Sequence, residues 1–146
     1  NDEMFPKSDM PPECLAQGDI VNGFENSDMI LIGTSSDFVK KILSEIYSKI
    51  NKNEPIYNII SELEAEIVKI SLNGYITTKL SFANMISDLC DTLGANKKKV
   101  LNAIGSDSRV GNNYFKPGYS FGGPCFPRDT KALELLVSQN NLNSNR

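Results

Sequence analysis

The chain has 146 residues, 40% of them hydrophobic, enough for one ordinary domain or two small ones. A formal charge of −3 and a pI near 5.0 argue against a general nucleic-acid-binding surface. Histidine is absent, which removes Ser-His-Asp and Cys-His catalysis and any His-ligated metal, and no CxxC pair suggests structural zinc, so no metal is expected. No run approaches the ~18 apolar residues of a membrane helix, and the N-terminus does not read as a signal peptide. Cys14, Cys90 and Cys125 are widely spaced and odd in number, which points to a reducing, cytoplasmic setting rather than a disulfide framework.

Residues 1–12 are rich in proline and charge and read as an irregular arm or an artificial chain start; residues 13–18 follow as a turn or short loop. The run Met29-Ile-Leu-Ile-Gly33 is short and wholly apolar, the mark of a strand covered on both faces. Thr34, Ser35, Ser36 and Asp37 offer helix N-caps. Phe38, Val39, Ile42, Leu43, Ile46, Tyr47 and Ile50 then recur at helical spacing, Pro55 closes the stretch, and Ile56–Ile60 forms a second short strand. Strand, helix and strand make one βαβ unit. Such a unit cannot cover its own sheet faces and edges, so residues 1–60 are expected to be the end of a larger α/β domain.

Ser61-Glu62-Leu63-Glu64 has the form of a capping box. No strong breaker follows before Gly94, and Gly74 is the only weak point. One helix of about 33 residues, roughly 50 Å, is therefore expected over residues 61–93. Its apolar positions, among them Ile67, Ile70, Ile76, Leu80, Ala83, Met85, Ile86 and Leu89, cover more than one stripe. That predicts burial by more than its own small domain, as a core helix or a homodimer helix. Lys69 and Asn73 lie four apart and share a face of this helix. The plain alternatives for them are a Lys69–Glu66 ion pair and a solvated Asn73. A shorter helix over 96–104 is stopped by Gly105. The fold class is thus mostly α with a small α/β part, the helical domain spanning 61–146 and built on the long helix.

Residues 106–124 form a long loop holding Arg109, Tyr114, Lys116, Tyr119 and Phe121, and its aromatic and basic content favours an ordered binding loop over a linker. At its end Cys125 leaves a Gly122-Gly123-Pro124 turn, and Pro127 suits the first turn of a helix carrying Ala132, Leu133, Leu135, Leu136 and Val137. A thiol near a helix N-terminus sits in positive potential, which favours a nucleophile; an inert turn cysteine is the even alternative on these residues alone.

Four stretches in order, 12–18 (Pro-Glu-Cys-Leu-Ala-Gln-Gly), 66–84 (from Glu66-Ile-Val-Lys69 through Asn73 to Asn84), 107–111 (Asp-Ser-Arg-Val-Gly) and 121–129 (Phe-Gly-Gly-Pro-Cys-Phe-Pro-Arg-Asp), resemble the central region of the UDP-glucose/GDP-mannose dehydrogenase family. The resemblance implies the terminal βαβ unit of a Rossmann-like NAD domain followed by a helical domain like that of 6-phosphogluconate dehydrogenase. It implies a UDP-sugar, UDP-glucose first, oxidised at C6 from alcohol to carboxylate in two NAD-dependent steps. It also implies a role for each site residue. Cys125 would be the nucleophile, Lys69 and Asn73 would stabilise the oxyanion, and Asp129 and Glu13 would activate water or move protons. Arg109, Tyr114, Phe121, Gly122 and Leu15 would contact the nucleotide sugar, Arg109 across a dimer, and Arg128 would meet the cofactor. Cys14 stands where such proteins usually carry Phe, Gln17 where they often carry Glu, and Arg128 where Lys is commoner. No GxGxxG fingerprint follows a strand, so the NAD site itself is expected outside this chain, which should not turn over alone. A non-catalytic dimerisation module of the same descent and a cysteine-dependent acyl transferase or hydrolase are the alternatives.

Overall fold

The computed structural model describes residues 20–118 and 122–142. Glu13, Cys14, Leu15, Gln17 and Phe121 lie outside the described residues. The chain divides into two compact units after Lys69, inside its longest helix.

The first unit holds α1 (Ile20–Glu25), β1 (Met29–Gly33), α2 (Asp37–Ile50), β2 (Ile56–Ile60) and the opening turns of α3 (Glu62–Leu93). Both strands and α2 fall where their apolar patterns place them. The six residues of α1 are too few to show a period, and the sequence gives no sign of that helix. β1 and β2 pair in parallel, Met29 opposite Ile56 and Gly33 opposite Ile60. Thr34 N–H extends the ladder to the Ile60 carbonyl at 2.9 Å.

Ile30, Leu31 and Ile32 are buried on β1, whereas Ile56 and Ile59 on β2 are exposed. α2 is capped by Ser36, whose hydroxyl accepts from Val39 N–H, and it buries no residue fully. Phe38, Ile42, Ile46 and Ile50, one per turn, all stay exposed. A lone βαβ unit leaves its faces uncovered, as its size requires.

The start of α3 is pinned to this unit. A Cβ on Gly33 would lie 2.6 Å from Ala65 Cβ and 3.2 Å from Glu62 Cα, so only glycine lets the helix cross there. The capping box forms as the sequence predicts: Ser61 N–H and O–H donate to Glu64 Oε2 at 2.8 and 2.7 Å, and Glu64 N–H donates back to Ser61 Oγ. Beside it the Glu62 carboxylate accepts from Ser35 N–H and Ser35 Oγ, both at 3.0 Å.

The second unit holds the rest of α3, α4 (Lys97–Gly105) and α5 (Cys125–Gln139). α3 runs 32 residues without a break at Gly74. The hydroxyls of Thr77 and Thr78 both donate to the Gly74 carbonyl, and Ser81 donates to Thr77, so the helix satisfies these groups internally. Ala83, Leu101 and Phe115 make the core, with Ile86, Ile104 and Val110 packed against them. Phe82, Met85, Leu89 and Leu93 remain exposed on α3, so this helix is apolar on more sides than the unit covers.

Gly105 departs from its expected role as a left-handed stop. It is the last helical residue, and Ser106 caps α4 in right-handed geometry. Glycine is needed there for closeness instead, since a Cβ would collide with the Asn112 side chain. Among the described residues no helix is long and apolar enough to cross a membrane.

The two glutamates at the head of α3 set a pH dependence. Glu64 titrates below the ordinary carboxylate value, chiefly through the Ser61 hydroxyl and then Ser61 N–H. Glu62 is lowered first by its own backbone N–H and then by Ser35. A folded pKa below the unfolded one gives stability that is present above the unfolded pKa and is lost as pH falls through the folded one. The protection of the Ala65 amide, which bonds the Ser61 carbonyl, measured relative to an unstructured amide at the same pH, should accordingly fall once pH drops below about 4, near the unfolded glutamate value. Glu64→Gln should flatten that acid response at Ala65; an unchanged profile would count against the box as its source.

Candidate active site

α5 begins with Cys125 itself, which sets Pro127 at its third position, within the first turn. Pro124 is its N-cap and gives no side-chain hydrogen bond, so the helix N-terminus is left to backbone donors. Gly123 just before it sits at φ +77°, a left-handed angle that glycine takes at little cost, and both Gly122 and Gly123 are exposed. The thiol of Cys125 is thus half-buried at the positive end of a 15-residue helix, whereas Cys90 is buried within α3.

Asp129, one helical turn after Cys125, is the single fully buried residue of α5. A carboxylate only 4% exposed must be met by donors, and Asn73 and Arg128 are among those that meet it. Asn73 Nδ2 on α3 donates to Oδ2 at 2.6 Å, and Arg128 Nε donates to Oδ1 at 2.9 Å. This contact holds the Arg128 guanidinium above its usual pKa, through the hydrogen bond first and the Asp129 charge second, with a smaller push of the same sign from Cys125. The Arg128 side chain is otherwise 65% exposed.

The α3–α5 seam continues on either side of this pair. The Thr77 and Thr130 hydroxyls meet at 3.4 Å, and a Cβ on Gly74 would lie 2.8 Å from Leu133 Cδ2. Thr77 is a seam residue whose signal in the sequence is its place four residues after Asn73 on a largely apolar helix.

The structure therefore brings Asn73, Arg128 and Asp129 together and places Cys125 a turn away on the same helix. Lys69 is half-buried one turn before Asn73 on α3. Arg109 and Tyr114 stand apart in the loop after α4. Arg109 makes a two-pronged pair with Asp107, Nε to Oδ1 at 3.0 Å and Nη2 to Oδ2 at 2.7 Å, which lowers the Asp107 pKa. Its side chain is 87% exposed. Tyr114 is exposed and takes a left-handed φ of +57°.

Comparison with known proteins gives the setting of these residues. The model of the UDP-glucose/GDP-mannose dehydrogenase family, central domain, matches residues 63–145. A UDP-glucose 6-dehydrogenase of Rickettsia prowazekii is 33% identical over 131 residues, covering 90% of this chain and 30% of that protein. A Bacillus subtilis UDP-glucose 6-dehydrogenase is 36% identical over 122 residues, 84% of this chain and 26% of that one. The solved structure of a UDP-glucose dehydrogenase from the archaeon Pyrobaculum islandicum superposes with a TM-score of 0.82 at 33% identity, over 89% of this chain and 29% of that one. The chain thus spans less than a third of the length of these relatives.

The burial of Asp129 predicts an order of mutational costs. Asn73→Leu removes a donor from a buried carboxylate and should cost about 1–3 kcal/mol in urea unfolding. Arg128→Gln acts on a mostly exposed pair and should cost less than about 1 kcal/mol. Equal costs would mean that Asp129 does not depend on the Asn73 amide.

Proposed function

Because the chain belongs to the UDP-glucose/GDP-mannose dehydrogenase family, we propose that it carries the covalent half of a nucleotide-sugar 6-dehydrogenase, one that oxidises the C6 alcohol of a UDP-sugar, UDP-glucose foremost, to the carboxylate. The observation that supports this most directly is the buried Asp129, held by Asn73 one helical turn from a half-buried cysteine at a helix N-terminus.

NAD, in the complete enzyme, supplies the hydride acceptor for both oxidations. The described residues of this chain do not fit a dinucleotide. In the turn from β1 to α2, both Ser35 donors already bind the Glu62 carboxylate, and in the turn from β2 to α3 both Ser61 donors bind Glu64, where a phosphate would need them. The steps assigned to this chain are therefore those of its own side chains.

Cys125 Sγ attacks the C6 carbon of the aldehyde, forming a C–S bond and placing negative charge on the former carbonyl oxygen. Loss of hydride from that adduct leaves a thioester. Water then adds to the thioester carbon as one of its protons passes to a carboxylate, the C–S bond breaks, and that proton passes on to the sulfur, releasing the acid and the thiol. Asp129 is the described carboxylate nearest in sequence to Cys125 on α5, and Asn73 orients it. Lys69, one turn before Asn73, is read as the cation that steadies the oxyanion, by analogy of motif. Arg109 and Tyr114 are read as nucleotide-sugar contacts, with Arg109 acting across a homodimer. The exposed row Phe82, Met85, Leu89 and Leu93 supports an α3-centred homodimer.

Two measurements test this reading. In the complete enzyme Cys125→Ser should lower carboxylate formation by at least about a thousandfold, the scale on which removing a covalent nucleophile acts. This chain mixed with NAD and UDP-glucose should release no NADH. Undiminished acid formation by the serine variant removes Cys125 as nucleophile, and turnover by the chain alone removes the division of labour proposed for it.

A further inference from the structure

Residues 106–118 form no helix or strand beyond Ser106, the cap of α4, yet the helices of the second unit hold them at four points. Phe115 is 4% exposed and sits in the core with Ala83 and Leu101. Lys79 on α3 donates from Nζ to the Val110 carbonyl at 2.8 Å, and the same ammonium lies 5.9 Å from the Phe115 ring centroid, within reach of its face. Asn84, further along α3, accepts from Gly118 N–H at 3.0 Å. Gly105 leaves room for Asn112 to cross the end of α4.

Between these points the backbone turns left-handed three times, at Gly111 (φ +71°), Tyr114 (φ +57°) and Gly118 (φ +90°). Glycine adopts such angles freely. A tyrosine keeps one only where the surroundings over-determine it, and such outliers gather where a ligand is met. Tyr114 is followed directly by the anchored Phe115, and its own ring remains exposed.

We propose that Lys79 is the positioning residue of this loop. Its ammonium ties Val110 to the face of Phe115, and with Asn84 it fixes one backbone conformation that presents Tyr114 and Arg109 outward before any ligand arrives. The presented surface is preformed rather than folded on binding. That the ligand is the nucleotide sugar rests on the dehydrogenase reading above; the clamp does not.

The test uses an arginine-specific protease on the native chain, with cleavage at Arg109–Val110 followed by mass spectrometry. Lys79→Met should speed this cleavage roughly tenfold, the effect of losing one hydrogen bond to a charged donor. Amide exchange at Leu101 in the core should stay unchanged, and Lys79→Arg, which keeps both donor and cation, should restore slow cleavage. Unchanged cleavage in Lys79→Met overturns the proposal, as does a rise matched by faster exchange at Leu101 or a failure of arginine to restore. If Lys79→Met does not fold, Asn84→Ala decides, since it frees the Gly118 end, and slow cleavage there overturns the clamp. In the complete enzyme Lys79→Met should raise KM for the nucleotide sugar about tenfold with kcat within about twofold. An opened loop with KM unchanged would sink the substrate role of the loop and leave the clamp standing.

Discussion

A carboxylate taken out of water has to find donors within the protein, and in the second unit that requirement falls on Asp129. The residue is buried where α5 meets α3, and the Asn73 amide reaches it from the opposite helix. The rest of the seam follows from that bond. Gly74, beside Asn73, has no side chain to hold Leu133 away, and the Thr77 and Thr130 hydroxyls meet a turn further on. Cys125 inherits its place from the same docking, because it opens the helix that Asp129 anchors.

The first unit answers a similar demand at its surface. The Glu62 carboxylate lies against Ser35 at the head of α2, where the helix dipole and free backbone N–H groups favour a negative charge. An anion-seeking turn is thereby satisfied by the chain itself. The same glutamate begins α3, whose close crossing over Gly33 is possible only without a side chain on that residue.

Much of this was legible in the residues, and the limits have physical causes. The five-residue runs Met29–Gly33 and Ile56–Ile60, with seven apolar residues at helical spacing between them, define the βαβ unit, because apolar spacing is a local signal that needs no distant partner. The capping box at Ser61 and the breaker at Gly94 bound α3 correctly for the same local reason. The pairing of Asn73 with Asp129 was not legible as a contact, since 56 residues separate them and no period links the two helices. The grouping of those residues came from a family resemblance, not from chemistry visible in one segment. Lys79 and Asn84 were passed over because their partners lie in a loop more than thirty residues away. Gly105 was read as a stop because helical glycines near a terminus usually are; its closeness to Asn112 is a tertiary fact.

The polar character of the α3–α5 seam also bears on temperature. Apolar area exposed on opening dominates the heat-capacity change, so the core of Ala83, Leu101 and Phe115 carries a strongly curved stability and weakens on cooling. The seam adds polar groups to its apolar contact of Leu133 with Gly74: the Asn73 amide meets Asp129, and the Thr77 and Thr130 hydroxyls meet beside it. Exposing polar surface lowers the heat capacity where apolar exposure raises it, so these groups offset part of the curvature that Leu133 brings. The hold on the helix that bears Cys125 is therefore less sensitive to cold than apolar packing alone would make it.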